Sequence, residues 1–487
     1  PGMLHGAVLR PPAHGATRRS LDARRAQALP GVMVVQDGEL VGAVAEQPEA
    51  ARAAVEALDA QWDRLPQPSA AEISEFLRAH PVESEGWGGA VRDEAGHPER
   101  ALEQAEIRIR STYRTAYIAH VPLEPRAAIA EWSEGRLTVW TGTQTPFIVR
   151  RQVAAGLGLD EADVRVIVPD FGGGFGGKHD ATVAAEAARL ARAASRPVKV
   201  VWSRAEEFTC GHLRPAAVID VDAGVDGGRL SAWSMININS GPMGLSTPYG
   251  VPSWRIAYQP AASPLPQGSY RALAATANHF ARESHMDVLA RRIGVDPLEF
   301  RLRHLDDQRL AEVFQIAAER IGWGQDRGSA PGLGRGIAGG IEKGGRVSTA
   351  VEVEVGPERR LTVTRLVSVF DCGAVVNPDN LANLVEGAAI MGLGGALFEA
   401  IDFAAGRIVN ASLTNYRVPR LSDVPEVEVV LQDHPDEPSA GGGETPIMAV
   451  APAIANAIAD ACGVRLQAMP LVPDGTVRDP DGAAGEG

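Results

Sequence analysis

The chain opens on an apolar, strand-like run, Met3-Leu4-His5-Gly6-Ala7-Val8-Leu9. A helical stretch is expected next, then a strand at Gly31-Val32-Met33-Val34-Val35 closed by the turn signal Asp37-Gly38. Leu40-Val41-Gly42-Ala43-Val44 predicts another strand, and the alanine-rich segment from Pro48 to Trp62 a helix. Residues 1–65 therefore read as a small α+β domain, with the polar Arg64 to Ala70 as a linker. From about Ala71 to Gly324 strands and helices alternate. Arg136–Trp140, Val164–Val168 and Val198–Trp202 have the β-branched content of buried strands. Ala181–Ala194 reads as a helix, Asn278–Arg292 as an amphipathic one, and Asp296-Pro297 as the start of another. Gly328 to Gly345 resembles a Pro/Gly-rich linker. Beyond it come a strong strand, Leu361–Phe370, a glycine-punctuated helix, Asn380–Phe403, and a last helix, Val450–Cys462. The Asp/Gly/Pro-rich tail 472–487 is expected to be disordered.

Composition narrows the class. At 487 residues the chain has length for roughly three domains and can bury a large core without disulfides or a structural metal. A formal charge of −14 argues against nucleic acid or an anionic membrane as the main partner. No stretch approaches 18 uncharged apolar residues, so no membrane span is expected. Only Cys210, Cys372 and Cys462 occur, too few for an iron–sulfur cluster within this chain. A protein-bound zinc site is equally unsupported, since no Cys/His group has ligand spacing. Only three lysines occur, Lys178, Lys199 and Lys343.

The most informative string is VRVIVPDFGGGFGGK, Val164 to Lys178, a strand running into a glycine loop and then a helix. Its spacing satisfies GxGxxG and nearly satisfies a P-loop. The P-loop needs Ser or Thr after the lysine, where His179 stands, and a dinucleotide fold needs an acid where Trp202-Ser203-Arg204 stands. Five glycines around one phenylalanine exceed what a turn requires. All three readings share a run of exposed amides approaching an anionic or oxo ligand.

GGGFGGK after a strand resembles the molybdenum-cofactor loop of the large subunit of the xanthine dehydrogenase/aldehyde oxidase family. Further strings resemble that family in the same order. They are Pro1–Gly15, His120-x-x-x-Glu124-Pro125, Trp140-x-x-Thr143-Gln144, Gly268-Ser269-Tyr270-Arg271 with Phe280-x-x-Glu283-Ser284, Phe370-Asp371-Cys372-Gly373, and Gly441-Gly442-Gly443-Glu444-Thr445-Pro446. The isoquinoline 1-oxidoreductase/nicotinate dehydrogenase subgroup is the nearest. The resemblance implies an α+β fold: a hammerhead-like domain, 1–65, and two molybdenum-cofactor-binding domains, 71–327 and 333–471, the second incomplete.

The same resemblance implies a molybdenum hydroxylase acting on an N-heteroaromatic compound or an aldehyde. Its cofactor would be a molybdopterin carrying Mo, in the cytosine dinucleotide form by subgroup. Water would supply the oxygen, and electrons would leave through a separate small 2Fe–2S subunit. Glu444 is the candidate catalytic base, expected in an apolar, Gly-lined pocket that raises its pKa. Gln144 would bond an oxo ligand. Gly173, Gly174, Phe175 and Gly176 would offer amides, with Phe175 as a wall, and Arg271 would meet the cofactor or pair with a nearby acid. His120 and Glu124 read as packing and hydrogen-bonding anchors.

Three departures stand out. Leu384 replaces the family's glutamine, Ala272-Leu273-Ala274 follows Arg271 where a glycine is common, and a Gly-Gln-Gly cofactor segment is missing. With Pro1 at the start, the missing segment suggests an N-terminally incomplete polypeptide, or a split subunit whose partner chain supplies it. A non-catalytic, partner-binding subunit and a nucleotide-dependent dehydrogenase remain alternative readings. A soluble protein of a bacterial cytoplasm or periplasm is expected.

Overall fold

The structure is a computed structural model that describes residues 2–85, 88–325 and 332–479. Three sheets carry most of it. The first has seven strands in the order Val164–Ile167, Arg136–Thr141, Ala127–Ser133, Val198–Val201, Leu4–Val8, Leu40–Ala45, Val32–Asp37. Helices Pro146–Leu157 and Thr182–Ala194 cover one face, where Ala187, Ala188 and Leu190 meet Ala130, Val139 and Val198.

Within residues 1–65 only the two-stranded sheet of Thr17–Asp22 and Asp59–Asp63 is self-contained; the other strands belong to the seven-stranded sheet. Leu4–Val8 pairs in parallel with Val198–Val201, so the chain's first strand is held by one nearly two hundred residues later. The expected boundary at 65 therefore does not divide this sheet. Two local expectations also change. The helical stretch after the first strand is the strand Thr17–Asp22 followed by only a short helix, Arg24–Gln27. The helix from Pro48 ends at Glu56, because Asp59–Asp63 is drawn into antiparallel pairing with Thr17–Asp22.

The second sheet runs Ala468–Met469, Ile107–Thr115, Ala217–Asp226, Arg229–Ile238, Ser253–Gln259, Val91–Ala95, and the third Leu333–Glu342, Gly345–Val355, Leu361–Asp371, Glu426–Gln432. Helices Ala275–Arg292 and Val450–Cys462 pack on each other and join these sheets into one core. The Gly-rich stretch expected to be a linker is the edge strand Leu333–Glu342; residues 326–331 lie outside the described residues. Its glycines are a seat for the helix. A Cβ at Gly334 would come closer than 3.0 Å to Ala457 O, and one at Gly336 to Ala453 O.

The tail is also corrected as far as Asp479. Val472 N donates to Leu397 O at 2.9 Å, Val477 N to Arg359 O at 2.8 Å, and Val477 is fully buried. Residues 480–487 lie outside the described residues. One run, Thr445–Cys462, is long and apolar enough to cross a membrane, but 78% of it is buried, as in a core helix.

Helix Ala275–Arg292, for which the pattern predicts one apolar face, is instead buried almost all round. Its buried charged groups are paired, although Ser284 Oγ and His279 Nε2 have no partner among the described residues. Glu283, 0% exposed, accepts from Arg301 Nε at 2.8 Å, Arg282 Nε at 3.2 Å and Tyr249 OH at 3.0 Å. Asp287 pairs with Arg291 and Arg465, and Asn278 accepts from Asn237 Nδ2 at 2.7 Å. Replacing Glu283 by Ala strands two buried guanidinium groups and is expected to cost about 3–5 kcal/mol in chemical denaturation. A loss below about 1 kcal/mol would show that this network does not hold the core.

Candidate active site

Four glycines of the 172–177 loop are required by neighbours from three different segments. An added Cβ would come closer than 3.0 Å to Glu124 at Gly172, to Gln144 at Gly174, to Ser269 O at Gly176 and to His120 at Gly177. Gly176 also has φ of 100°, and Phe175 sits at φ 53°. Hydrogen bonds fix the same neighbours. Glu124 accepts from Gly172 N, Gln144 Oε1 accepts from Gly176 N at 3.0 Å, and His120 Nε2 donates to Ser269 O. Burial holds the His120 pKa down, at about 4, which keeps the ring neutral as that donor. His120 and Glu124 thus act as hydrogen-bonding anchors of the loop.

The loop closes on a 3-10 turn, Gly177–His179, and the helix begins only at Thr182. Lys178 turns inward and is 2% exposed, with its ammonium 5.2 Å from the centre of the Phe171 ring and 3.8 Å from Glu124 Oε1. A lysine buried in this way is not presented as a P-loop lysine is.

Arg271 links three segments. Its Nε donates to Gly443 O at 2.6 Å and its Nη2 to Leu384 O at 3.0 Å. The guanidinium is buried and among the described residues has no carboxylate partner, so the ion pair with a nearby acid is absent. Ala272 and Leu273 then take φ of 66° and 53°, a left-handed turn made without glycine. Leu384 uses its carbonyl here, and its side chain is half-exposed.

Glu444 departs from expectation. It follows Gly443 at the start of the buried run Thr445–Cys462, yet its carboxylate pairs with Lys343 and its side chain is 34% exposed. It does not sit in an apolar pocket. Lys343 comes from the turn between strands Leu333–Glu342 and Gly345–Val355, which Thr445 Oγ1 pins by donating to Glu342 O at 3.0 Å. The signal is present as Lys343-Gly344-Gly345 between two apolar runs, a hairpin turn that composition alone presents as linker.

A cavity of about 710 Å³ adjoins these loops. Gly173, Phe175, Arg271 and His120 line it, with Leu384, Met391 and Glu399 from the helix Pro378–Leu397 and just beyond. Gln144, Gly174, Gly176 and Glu444 are not in its lining. Arg271 is the bridge, facing the cavity while bonded to the residue before Glu444. Glu399 carries no sequence signal that marks it for the site.

The donor set suits an anionic, oxygen-rich group. Among the described residues, the amides of Gly174 and Phe175 and the Gln144 side-chain nitrogen donate to no protein acceptor. Nor could any cluster of three or more His, Cys, Asp or Glu side chains ligate a metal directly. A molybdopterin fits such backbone and amide donors, with the metal held through the cofactor.

Sequence models described as molybdopterin cofactor-binding domain match residues 85–305 and 346–425. The chain belongs to the xanthine dehydrogenase family, as a molybdenum-cofactor-binding subunit. It is 29% identical over 540 residues to a nicotinate dehydrogenase subunit of Pseudomonas putida, matching 100% of this chain and 45% of that protein. Against the beta subunit of isoquinoline 1-oxidoreductase from Brevundimonas diminuta it is 28% identical over 507 residues, 97% of this chain and 65% of the relative. The chain thus spans about half to two thirds of these relatives. Quinoline 2-oxidoreductase from Pseudomonas putida 86 shares the fold at a TM-score of 0.83 and 19% identity, covering 97% of this chain and 94% of that one.

If the glycines are needed for this convergence, Gly176→Ala should destabilise by more than about 2 kcal/mol, through left-handed strain and the collision with Ser269. Gly156, in helix Pro146–Leu157 with nothing within 4 Å of an added Cβ, is the control. Gly156→Ala should gain about 0.5–1 kcal/mol. Equal melting curves for the two variants would refute the packing argument.

Proposed function

We propose that this chain is the cofactor-binding catalytic subunit of a molybdenum hydroxylase acting on an N-heteroaromatic compound or an aldehyde. The observation that carries the reading is the meeting of the loop's unpartnered amides with Gln144, Arg271 and the Glu444 loop. Gly173 to Gly176, Gln144 and Arg271 would hold the cofactor, a molybdopterin in its cytosine dinucleotide form. When bound, that group supplies two-electron oxidation of a C–H bond with oxygen taken from water. The balance is R–H + H2O → R–OH + 2 e⁻ + 2 H⁺.

Glu444 takes one of those protons at Oε1, the oxygen not held by Lys343. Lys343 fixes the carboxylate by pairing with its other oxygen. Arg271 fixes the loop by its bond to Gly443 O, and Phe175 excludes water from one wall of the cavity. With three cysteines the chain needs a separate 2Fe–2S subunit to take the electrons. A second chain supplying the Gly-Gln-Gly segment would complete the cradle. The names of the relatives, nicotinate dehydrogenase and isoquinoline 1-oxidoreductase, support a nitrogen heterocycle as substrate. No observation favours the dinucleotide reading, since the loop's glycines are spent on protein contacts.

The test is molybdenum content by elemental analysis of the protein purified from its own host, beside Glu444→Gln. Near-stoichiometric molybdenum in both is expected, with turnover falling at least ~100-fold only in the variant. No molybdenum in either would overturn the assignment, and full turnover in the variant would remove Glu444 as the base.

A further inference from the structure

Among the residues lining the 710 Å³ cavity, Glu399 is the one carboxyl group. It is 5% exposed and among the described residues has no ion-pair partner. Its Oε2 accepts from Tyr416 OH at 3.1 Å. Tyr416 cannot turn away, because its oxygen accepts from Ala119 N at 3.1 Å, which leaves the phenolic hydrogen for Glu399. Oε1 lies against Gly394, where an added Cβ would come closer than 3.0 Å, and has no protein donor among the described residues. The surrounding walls are mostly apolar, with Val121, Met391, Val418 and Pro419 near this end. A buried acid bonded at one oxygen and lacking a donor at the other, in the wall of a mostly apolar cavity, is a recognition element rather than a surface charge.

We infer that the free edge of Glu399 recognises a ring nitrogen of a planar nitrogen heterocycle held in this cavity. The inference rests on the molybdenum reading only for the source of the ring, which is either the substrate or the cofactor's own pterin.

Burial is the largest influence on Glu399 and raises its pKa to about 7, against the pull of the Tyr416 hydrogen bond and the Arg214 charge. The other titratable groups around it hold their charge between pH 6 and 8. Burial lowers His120 to about 4 and pushes Tyr270 and Tyr416 far up, while Arg214 and Arg271 stay cationic. Below about pH 7 the acid donates to a bare ring nitrogen, and above it that donor is lost. Affinity for a neutral heterocycle should therefore fall as pH rises through 7.

Quinoline is the probe, with its Kd measured by calorimetry at pH 6 and pH 8, alongside pterin content by oxidative fluorescence. Wild type should bind roughly tenfold more weakly at pH 8. Glu399→Gln keeps an N–H donor at every pH, so it should bind as wild type does at pH 6 and show no pH dependence. Glu399→Leu should bind weakly at both, by roughly tenfold. If pterin content falls in Glu399→Leu while the quinoline Kd is unchanged, the recognised ring is the cofactor's. The inference is overturned if quinoline binding, or its absence, and pterin content are the same in wild type and both variants. A protein without molybdenum whose quinoline affinity depends on Glu399 keeps this inference and loses the functional reading. Full molybdenum with insensitivity to Glu399 does the reverse.

Discussion

The structure around the candidate site depends on the absence of side chains. Gly172, Gly174, Gly176 and Gly177 admit Glu124, Gln144, Ser269 and His120 to the loop backbone at distances no Cβ would allow. Each neighbour then supplies a hydrogen bond or a close contact, so three segments distant in sequence are set against one loop. The left-handed turns at Phe175 and Gly176 follow from the same crowding, because the chain must reverse within two residues. The glycines that suggested an anion cradle are mostly occupied with assembling the protein around it. Only Gly174 and Phe175 keep their amides unengaged among the described residues.

Behind this convergence lies a second device of the same kind. Strand Leu333–Glu342 uses Gly334 and Gly336 to seat helix Val450–Cys462 against its backbone. That places the N-terminal end of the Thr445–Cys462 run beside the hairpin turn bearing Lys343, and hence Glu444 beside Lys343. The buried charges of helix Ala275–Arg292 hold the other side of the same helix pair. Position at the site is thus set by close backbone approach and by buried polar pairing, with little help from the site residues themselves.

This explains what is legible in the sequence. Strands such as Leu40–Ala45 and Leu361–Asp371, and the helix Val450–Cys462, carry their own periodicity and match expectation nearly to the residue. Motifs name the loops that converge, because their residue types are constrained locally. The Gly-rich strand reads as a linker because its pattern records the needs of a helix more than a hundred residues away. Thr17–Asp22 and Asp59–Asp63 escape a local reading for a related reason, since each is a strand only through the other. Glu399 has no motif, and Lys343 only a hairpin-turn signal, so the tertiary structure alone gives them a site to face.

Glu444 and Glu399 show how one fold sets two carboxyl groups to opposite tasks. Glu444 pairs with Lys343 and keeps part of its side chain in solvent. Glu399 has an apolar slot, one phenol and a distant guanidinium, and desolvation outweighs both of the latter. A carboxyl group poised near neutrality can donate a hydrogen bond or withhold it. Arg271 stands between them, lining the cavity that Glu399 faces and bonded to the residue before Glu444. A ligand bound in the cavity would therefore meet the guanidinium that also holds the Gly443 carbonyl.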